Sequence, residues 1–409
     1  MKSGTKVKIK SRDYMRLLLI LETHFYIDDN LVVWSDRVVD YEFLKRYLVS
    51  FKEIVLCGRC KKISNGNGKL KVSGEKVKFV GLPDIYGPVQ MIKNRRKIRK
   101  IIKKEIQQVD CVLYRFPTHL AFLSYDLVLK GKKRLALEVM ISADKMFEGT
   151  GVKSKIMNTI VDTWAKRVCL KANAVSYVTE RILQSKYPCM AIKYGESKNY
   201  ITSFYSTIDL DDKYFNKKIF DPRNVPKPLK IIHVGYMDTY RKGQKVLINV
   251  GKQLIDNGYK VHIEFIGDGK KKEEFMNLVK DLGINKYVTF TGLINDKDLM
   301  MKHLIESDLL VFPTESEGLP RTIIEAMAVG LPCISSPVDG IPELLDDEFL
   351  VDYNDVNGYT EKIIYLINNW NEVETISLRN YKKSLKYRKS ILTLTRGNFY
   401  KELSKICKQ

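Results

Sequence analysis

Long apolar runs are missing from this chain. No stretch of its 409 residues approaches the ~18–20 consecutive apolar residues that a membrane-spanning helix needs, and the best near the start, Leu17–Leu21, is strand-sized. No small-residue cleavage site follows it, so no secretory leader is expected. Cysteine is sparse: seven residues, at 57, 60, 111, 169, 189, 333 and 407, an odd count spread over the whole length. That pattern disfavours a disulfide scaffold and favours a reducing cytoplasm. The one CxxC, Cys57-Gly-Arg-Cys60, has no second Cys or His pair at zinc spacing and reads as structural thiols. The GxxxxGK[ST] loop of P-loop ATPases is absent, as are internal repeats and low-complexity segments. What remains, 44% apolar and 29% charged, is the composition of a globular chain of two or three domains.

Acidic residues are scarce in the first half only. Residues 1–200 hold 40 Lys/Arg against 19 Asp/Glu, a net +21, whereas residues 201–409 hold 30 against 29, a net +1. Such asymmetry concerns partners rather than fold. The densest patch, Lys93-Asn-Arg-Arg-Lys-Ile-Arg-Lys-Ile-Ile-Lys-Lys104, places Ile98, Ile101 and Ile102 at helical spacing. A helix of that kind suits an anionic membrane surface or a solvated face with its isoleucines on the core. No zinc-finger or RNP-type aromatic motif accompanies it, so nucleic acid is not an expected partner.

The second half alternates β-branched runs with helical stretches. Strands are expected at Lys230–Val234, Val261–Ile266, Tyr287–Thr291, Leu309–Phe312 and from Cys333, with helices over 243–257, 270–282, 296–306 and 321–329, most of them stopped by glycine. Alternating βα units imply a parallel, doubly wound sheet whose ligand site lies beyond the carboxyl ends of the strands. The first half is noisier α/β, with strands expected at Leu17–Leu21, Glu53–Cys57, Val77–Val80, Cys111–Tyr114, Leu135–Met140 and Ala174–Val178. Residues 200–229, rich in Asp, Asn, Lys and Pro, read as the connection between two domains, and 381–408 as a basic helical tail.

Chemistry concentrates after three strands of the second half. In Thr314-Glu-Ser-Glu-Gly-Leu-Pro-Arg-Thr-Ile-Ile-Glu325, Gly318 permits close backbone approach to a ligand, and Pro320 suits a first helical position. The amides around Gly318–Thr322 then stand at a positive helix end, a ready phosphate site. Glu317 sits just before the helix and Glu325 in its early turns, leaning back toward the same mouth. Two carboxylates repel phosphate but accept hydrogen bonds from sugar hydroxyls, and one can stabilise positive charge developing at a sugar carbon. A nucleotide sugar meets these demands together. The loop Gly235-Tyr-Met-Asp-Thr-Tyr-Arg-Lys-Gly243 offers Arg241 and Lys242 to a diphosphate. Gly267-Asp-Gly269 begins like a dinucleotide fingerprint, but Lys272 breaks GxGxxG. Asp209-Leu-Asp211 has the form of a metal-binding DxD, yet it lies in the expected connection and reads as structural.

On these residues the second half resembles the donor domain of retaining glycosyltransferases of family 4, which have the two-domain GT-B fold. The EX7E motif is Glu317-Gly-Leu-Pro-Arg-Thr-Ile-Ile-Glu325, followed by Ala326-Met-Ala-Val-Gly-Leu-Pro332 where the family shows EAMAxGxP. His233-Val-Gly235 with Lys242-Gly243, Phe265-Ile-Gly-Asp-Gly269 and Val288-Thr-Phe-Thr-Gly292 match in order and spacing, over roughly residues 229–370. In the first half, Arg115-Phe-Pro117, Glu138-Val139 and Tyr177-Val-Thr179 with Tyr187-Pro188 are similar to members that build bacterial capsular or exopolysaccharide.

The resemblance implies two Rossmann-like doubly wound domains facing across a cleft. Residues 1–205 would form a basic, membrane-facing acceptor domain and 206–380 the donor domain, with the C-terminal helix, 381–409, crossing back to the first. It implies that Glu325 holds the ribose and Glu317 the transferred sugar, that Glu317 and Lys242 are catalytic, that the backbone of Gly318, Leu319 and Pro320 holds the pyrophosphate with Lys242, and that Gly235 and Gly267 also bind the donor. Many members carry Arg directly after the Val-Gly, where this chain has Tyr236; Arg241 is the candidate replacement, the alternative being a phosphate held by fewer contacts. Asp144 and His119 are the candidates on the acceptor side. The expectation is therefore a cytoplasmic, peripheral, metal-independent retaining transferase without a cofactor. It would move a sugar from a nucleotide-diphosphate sugar to a saccharide or polyprenyl-diphosphate-linked acceptor. The rivals are a nucleotide-sugar epimerase or sugar phosphorylase of the same fold, and a non-catalytic basic protein binding membrane or nucleic acid.

Overall fold

The computed structural model describes residues 15–36, 38–147 and 151–408. They divide into two compact units. The first comprises residues up to Tyr177 with Gln184–Phe204 and the stretch from Thr393, and the second Val178–Leu183 with Tyr205–Leu392.

Leu17–Leu21 is fully buried because a central parallel strand is covered on both faces, which is what an unbroken apolar run encodes. It belongs to β1 (Arg16–Ile27), one of nine strands in the first unit with β2 (Val33–Ser35), β3 (Glu53–Lys62), β4 (Leu70–Lys71), β5 (Val77–Leu82), β6 (Cys111–Phe116), β7 (Arg134–Val139), β8 (Ala174–Tyr177) and β9 (Ile201–Phe204). Seven run parallel in the order β5-β3-β1-β6-β7-β8-β9, so the order reverses between β1 and β6 as a doubly wound sheet requires. β2 pairs antiparallel with the far end of β1, and β4 with β2.

Three readings of this half need correction: β3, expected to end at Cys57, runs on to Lys62 beside the extended part of β1. β1 runs six residues past Leu21; its register with β3 breaks between Ile20 and His24, and the half-buried extension lacks the apolar run that marks its first part. Residues 201–204, read as connection, form the sheet's edge strand on β8, where short length and polar side chains are common.

Three helices follow β5, β6 and β7: Gly87–Ile106, His119–Lys130 and Val152–Lys171. The basic patch lies on the first, which buries Ile98 and Ile102 and leaves most of its lysines and arginines exposed. Arg99 grips Asp126 of the second with two bonds, 2.7 and 2.8 Å. Phe122 of the second packs edge-on against Trp164 of the third, 5.0 Å between centroids. The final helix, Lys389–Cys407, ends in the first unit, where Tyr400 and Tyr47 both donate to the buried Glu138 carboxylate of β7. Their rings lie 4.8 Å apart.

In the second unit β10 (Leu229–Val234), β11 (Val261–Ile266), β12 (Val288–Gly292), β13 (Leu309–Phe312) and β14 (Cys333–Ser335) form an all-parallel sheet in the order β12-β11-β10-β13-β14. Its first four helices, Gln244–Asp256, Lys272–Asp281, Lys297–Glu306 and Arg321–Ala328, lie within two residues of their expected bounds. The unit also takes Val178–Leu183, because the Glu343 carboxylate accepts the backbone amides of Glu180, Arg181 and Ile182 at 2.6–2.8 Å. Residues 381–392 stay with this unit too; only those from Thr393 join the first. Asp209 and Asp211 both clamp Lys389, at 3.0 and 2.9 Å, a structural use of the DxD. Among the described residues no helix is long and apolar enough to cross a membrane.

Candidate functional site

In the second unit the strand order reverses between β10 and β13, so the loops leaving these two strands open a crevice at their carboxyl ends. Both loops carry motif residues. Gly243 closes the first with φ +75°, and a Cβ there would lie 1.7 Å from the Pro313 carbonyl oxygen. Only glycine lets the two loops touch. The contact is knitted by the Glu315 amide donating to the Arg241 carbonyl at 2.9 Å.

A cavity of about 290 Å³ lies here. Glu317 and Glu325 both face it, as the spacing across the helix start implies, together with Lys242, Gly235, Gly267 and Pro320. Each glutamate is matched by a lysine. Lys242 Nζ bonds the Glu317 carboxylate, and Lys297 Nζ stands 2.6 Å from Oε1 of Glu325, itself buried. Arg321, also lining the cavity, adds a further cation.

Glu317 is held from behind. Asp339, in a left-handed turn (φ +45°), accepts the Glu317 amide at 3.0 Å and the Ser316 hydroxyl at 3.4 Å. Gly340 donates its amide to the Gly318 carbonyl at 2.8 Å, and a Cβ there would meet that oxygen at 2.4 Å. Pro320 is the N-cap, one position earlier than expected, with the helix beginning at Arg321. Its extended backbone still leaves the first-turn amides of Arg321–Ile323 without intrahelical acceptors.

His233 lies beneath the loops at the end of β10, fully buried between Phe265 and Phe312. Nδ1 lies 3.0 Å from the Val311 carbonyl. A carbonyl can only accept, so Nδ1 carries the proton and Nε2 is a bare acceptor. Burial, helped by the Lys242 charge, pushes the ring's pKa down to about 4.

Other expected residues lie elsewhere. Arg241 is not among the residues lining the cavity; its guanidinium lies 3.6 Å from Glu315. Tyr240–Lys242 is a 3₁₀ turn, in which successive side chains diverge by a third of a turn, so Lys242 faces the cavity and Arg241 does not. The Gly318 carbonyl is spent on Gly340, and Leu319 is buried, with Cδ1 close to the same glycine.

In the first unit, His119 opens its helix with Nδ1 3.4 Å from Glu22 Oε1. Burial would raise the Glu22 pKa, but the bond from His119 and the charge of Arg59 outweigh it and hold it below the usual range. Asp144 takes Lys186 at 2.6 Å. Cys57 and Cys60 are free thiols pushed up by burial, Cys60 to about 11, so neither is primed as a nucleophile.

Lys297, Arg321 and Asp339 were not legible as site residues. Lys297 stands one place after the Asp296 N-cap and looks like any solvated first-turn residue. Asp339-Gly340 carried a turn signal that pointed to no partner.

The glycosyl transferases group 1 family model matches residues 228–369, which contain all of this site. The chain is 30% identical over 261 residues to an uncharacterized 41.2 kDa protein in the cps region of Klebsiella pneumoniae, covering 59% of this chain and 68% of that one. It is 29% identical over 324 residues to Protein CapJ of Staphylococcus aureus, 79% of each. Over 30% of its length it is 29% identical to an Escherichia coli UDP-Gal:alpha-D-GlcNAc-diphosphoundecaprenol alpha-1,3-galactosyltransferase, spanning a third of that protein. Among solved structures, sucrose-phosphate synthase of Thermosynechococcus elongatus superposes with a TM-score of 0.69 at 16% identity, covering 95% of this chain and 99% of that one. The fold is therefore GT-B, with two parallel Rossmann-like sheets and a C-terminal helix. The chain belongs to the group 1 glycosyltransferases.

Proposed function

We propose that this glycosyltransferase moves a sugar, with retention of configuration and without a metal, from a nucleotide-diphosphate sugar to a saccharide carried on a lipid diphosphate, in the synthesis of a surface polysaccharide. One observation carries the reading: two carboxylates, each held by a lysine, share one cavity at the switch point beside a helix start. The diphosphate draws Lys242 and Arg321 and the first-turn amides, and those charges come from the chain itself. Released from Lys242, Glu317 accepts hydroxyls of the transferred sugar, and Glu325 accepts those of the ribose. The bond from the sugar's anomeric carbon to the diphosphate breaks while the acceptor oxygen bonds that carbon from the same face. The acceptor's proton passes to the departing phosphate oxygen, and a nucleoside diphosphate leaves. Glu317 favours the positive charge at the anomeric carbon in between.

The acceptor class is supported by the diphosphoundecaprenol named for the Escherichia coli relative, and the polysaccharide by the cps region of the Klebsiella one. A polyprenyl carrier is membrane-borne, and the basic helix Gly87–Ile106 suits an anionic leaflet; both support a peripheral enzyme on the inner face of the cell membrane. A thermal-shift panel over UDP-, GDP-, ADP- and CMP-sugars tests the donor site, since a ligand bound only by the folded state raises the melting temperature. One nucleotide class should stand out, and Glu317→Gln should keep that shift while losing transfer. No shift with any nucleotide sugar refutes the reading; conversion of the donor alone to an epimer replaces transfer with epimerisation.

A further inference from the structure

The outward face of helix Val152–Lys171 is not that of an ordinary solvated helix. Its inward face buries Val161, Trp164, Ala165 and Val168. Steps of four residues carry Val152, Ile156 and Ile160 along the opposite side. They are 73%, 54% and 48% exposed, with Met157 beside them. Lys153, Lys155, Arg167 and Lys171 share that exposed side. Thr159 and Thr163 turn their hydroxyls back onto the helix's own carbonyls, at 3.0 and 2.9 Å. The helix's one carboxylate, Asp162, bonds the Tyr187 hydroxyl at 2.6 Å and Lys166 at 2.7 Å. Single exposed aliphatics are common on protein surfaces; a stripe of them among exposed cations is not.

The neighbouring helices extend the pattern. The connections β5–β6, β6–β7 and β7–β8 all cross the sheet in one direction, so right-handed crossovers place their helices in one layer, each starting at the carboxyl edge of the strands. The Arg99–Asp126 and Phe122–Trp164 contacts tie that layer together. Val89, Ile92 and Phe122 are also exposed and also fall in the first turns of their helices. Aliphatic and aromatic surface thus gathers at one edge of a layer whose first and third helices carry exposed lysines and arginines.

We propose that this edge is a lipid-binding face: Val152, Ile156, Met157 and Ile160 enter the boundary between headgroups and acyl chains of an anionic bilayer, while Lys153, Lys155 and Arg167 stay at phosphate level. The inference rests on the membrane reading above and adds the inserting element, which charge alone does not identify. The chemistry selects this occupant. An amphipathic helix with cations beside an aliphatic stripe has the make-up of an interfacial segment. Single-stranded nucleic acid is gripped by aromatic platforms, and the exposed apolar residues of this helix are aliphatic. A second copy, meeting this face through a two-fold axis, would set like charges against each other.

The test is co-sedimentation of the full chain with vesicles of 30% phosphatidylglycerol in phosphatidylcholine, against pure phosphatidylcholine. The wild type should bind the anionic vesicles and bind them less at high salt. Ile156→Ser with Ile160→Ser, both exposed positions, should lower the partition coefficient at least tenfold with an unchanged melting temperature, and vesicles should slow amide exchange within 152–163. Unchanged binding by this variant, with loss on reversing the charges of Lys93–Lys104, overturns the insertion and leaves electrostatic docking standing. No binding by the wild type overturns both, whereas transfer to a soluble acceptor would still test the donor site separately. A dimer by light scattering that the double variant dissociates, or RNA retention that it abolishes, overturns the lipid assignment.

Discussion

Acidification offers a direct probe of the site's foundation. His233 is fully buried under the cavity with its pKa at about 4, against an ordinary 6.5, because burial and the nearby Lys242 charge disfavour the imidazolium. The unfolded chain therefore takes up this proton first as the pH falls. The neutral ring contributes its full stabilisation above pH 6.5, and that contribution is lost progressively down to about pH 4, at most about 1.4 kcal/mol per pH unit. Across the whole window the loss is about 3 kcal/mol. His233→Asn removes the titration while keeping an amide donor for the Val311 carbonyl. It should lower stability at neutral pH, through lost packing on Phe265 and Phe312, yet flatten the slope below pH 6.5. The chain has three tryptophans, and Trp370 alone lies in the second unit. Urea unfolding followed by Trp370 fluorescence, with Trp34 and Trp164 replaced by Phe in both proteins, isolates this unit. Parallel pH profiles for the two proteins between 6.5 and 4 would refute the reasoning.

Three further outcomes follow from the same geometry. Glu325→Ala should weaken nucleotide-sugar binding by about 1–3 kcal/mol, as for lost hydrogen bonds to a charged group, and unchanged affinity by calorimetry counts against the ribose role. Lys297→Met should weaken it less, and adding it to Glu325→Ala should cost nothing more if Lys297 acts only by positioning that carboxylate; additive losses would show a contact of its own. Tyr400→Phe strips a hydroxyl from the buried Glu138 carboxylate and should destabilise the first unit by about 1–3 kcal/mol in a thermal melt while leaving donor affinity unchanged.

The second unit was nearly all legible because each cue there is local. A fully buried parallel strand writes itself as a continuous apolar run, as at Leu309–Phe312, and glycines such as Gly258, Gly283 and Gly330 adopt the positive φ that ends each helix. The EX7E spacing likewise encodes a helix start with one acid on either side of its first turns, and both acids reach the same cavity. What escaped is non-local. The continuation of β1 past Leu21 depends on partners in β2 and β3 rather than on its own pattern. Asp339 matters because a distant loop folds against it, and Lys297 because its helix begins beside Glu325. Arg241 and Lys242 were equal candidates in sequence; only the 3₁₀ turn that Gly243 closes tells them apart.

The pairing of acids with lysines resolves a tension in the sequence reading. Two bare glutamates in one cavity would repel a diphosphate, which argues against such a ligand until their partners are seen. With Lys242 on Glu317 and Lys297 on Glu325 the four charges cancel, and Arg321 and the helix start leave the cavity attractive to anions. Each pair also sets a condition on what binds there. Burying a lysine against phosphate while stranding its carboxylate costs more than the new contact returns, since an unpaired buried charge is the expensive state. A ligand that draws Lys242 to its phosphate must give Glu317 hydroxyl donors in exchange, while Lys297 stays on Glu325 and holds it for hydroxyls on the other side. On the proposed reading a nucleotide-diphosphate sugar does so at once, hydroxyls on either side of a diphosphate. Bare pyrophosphate or a nucleoside alone completes half of the exchange. Selectivity for the whole donor then arises from the resting charge pairs themselves.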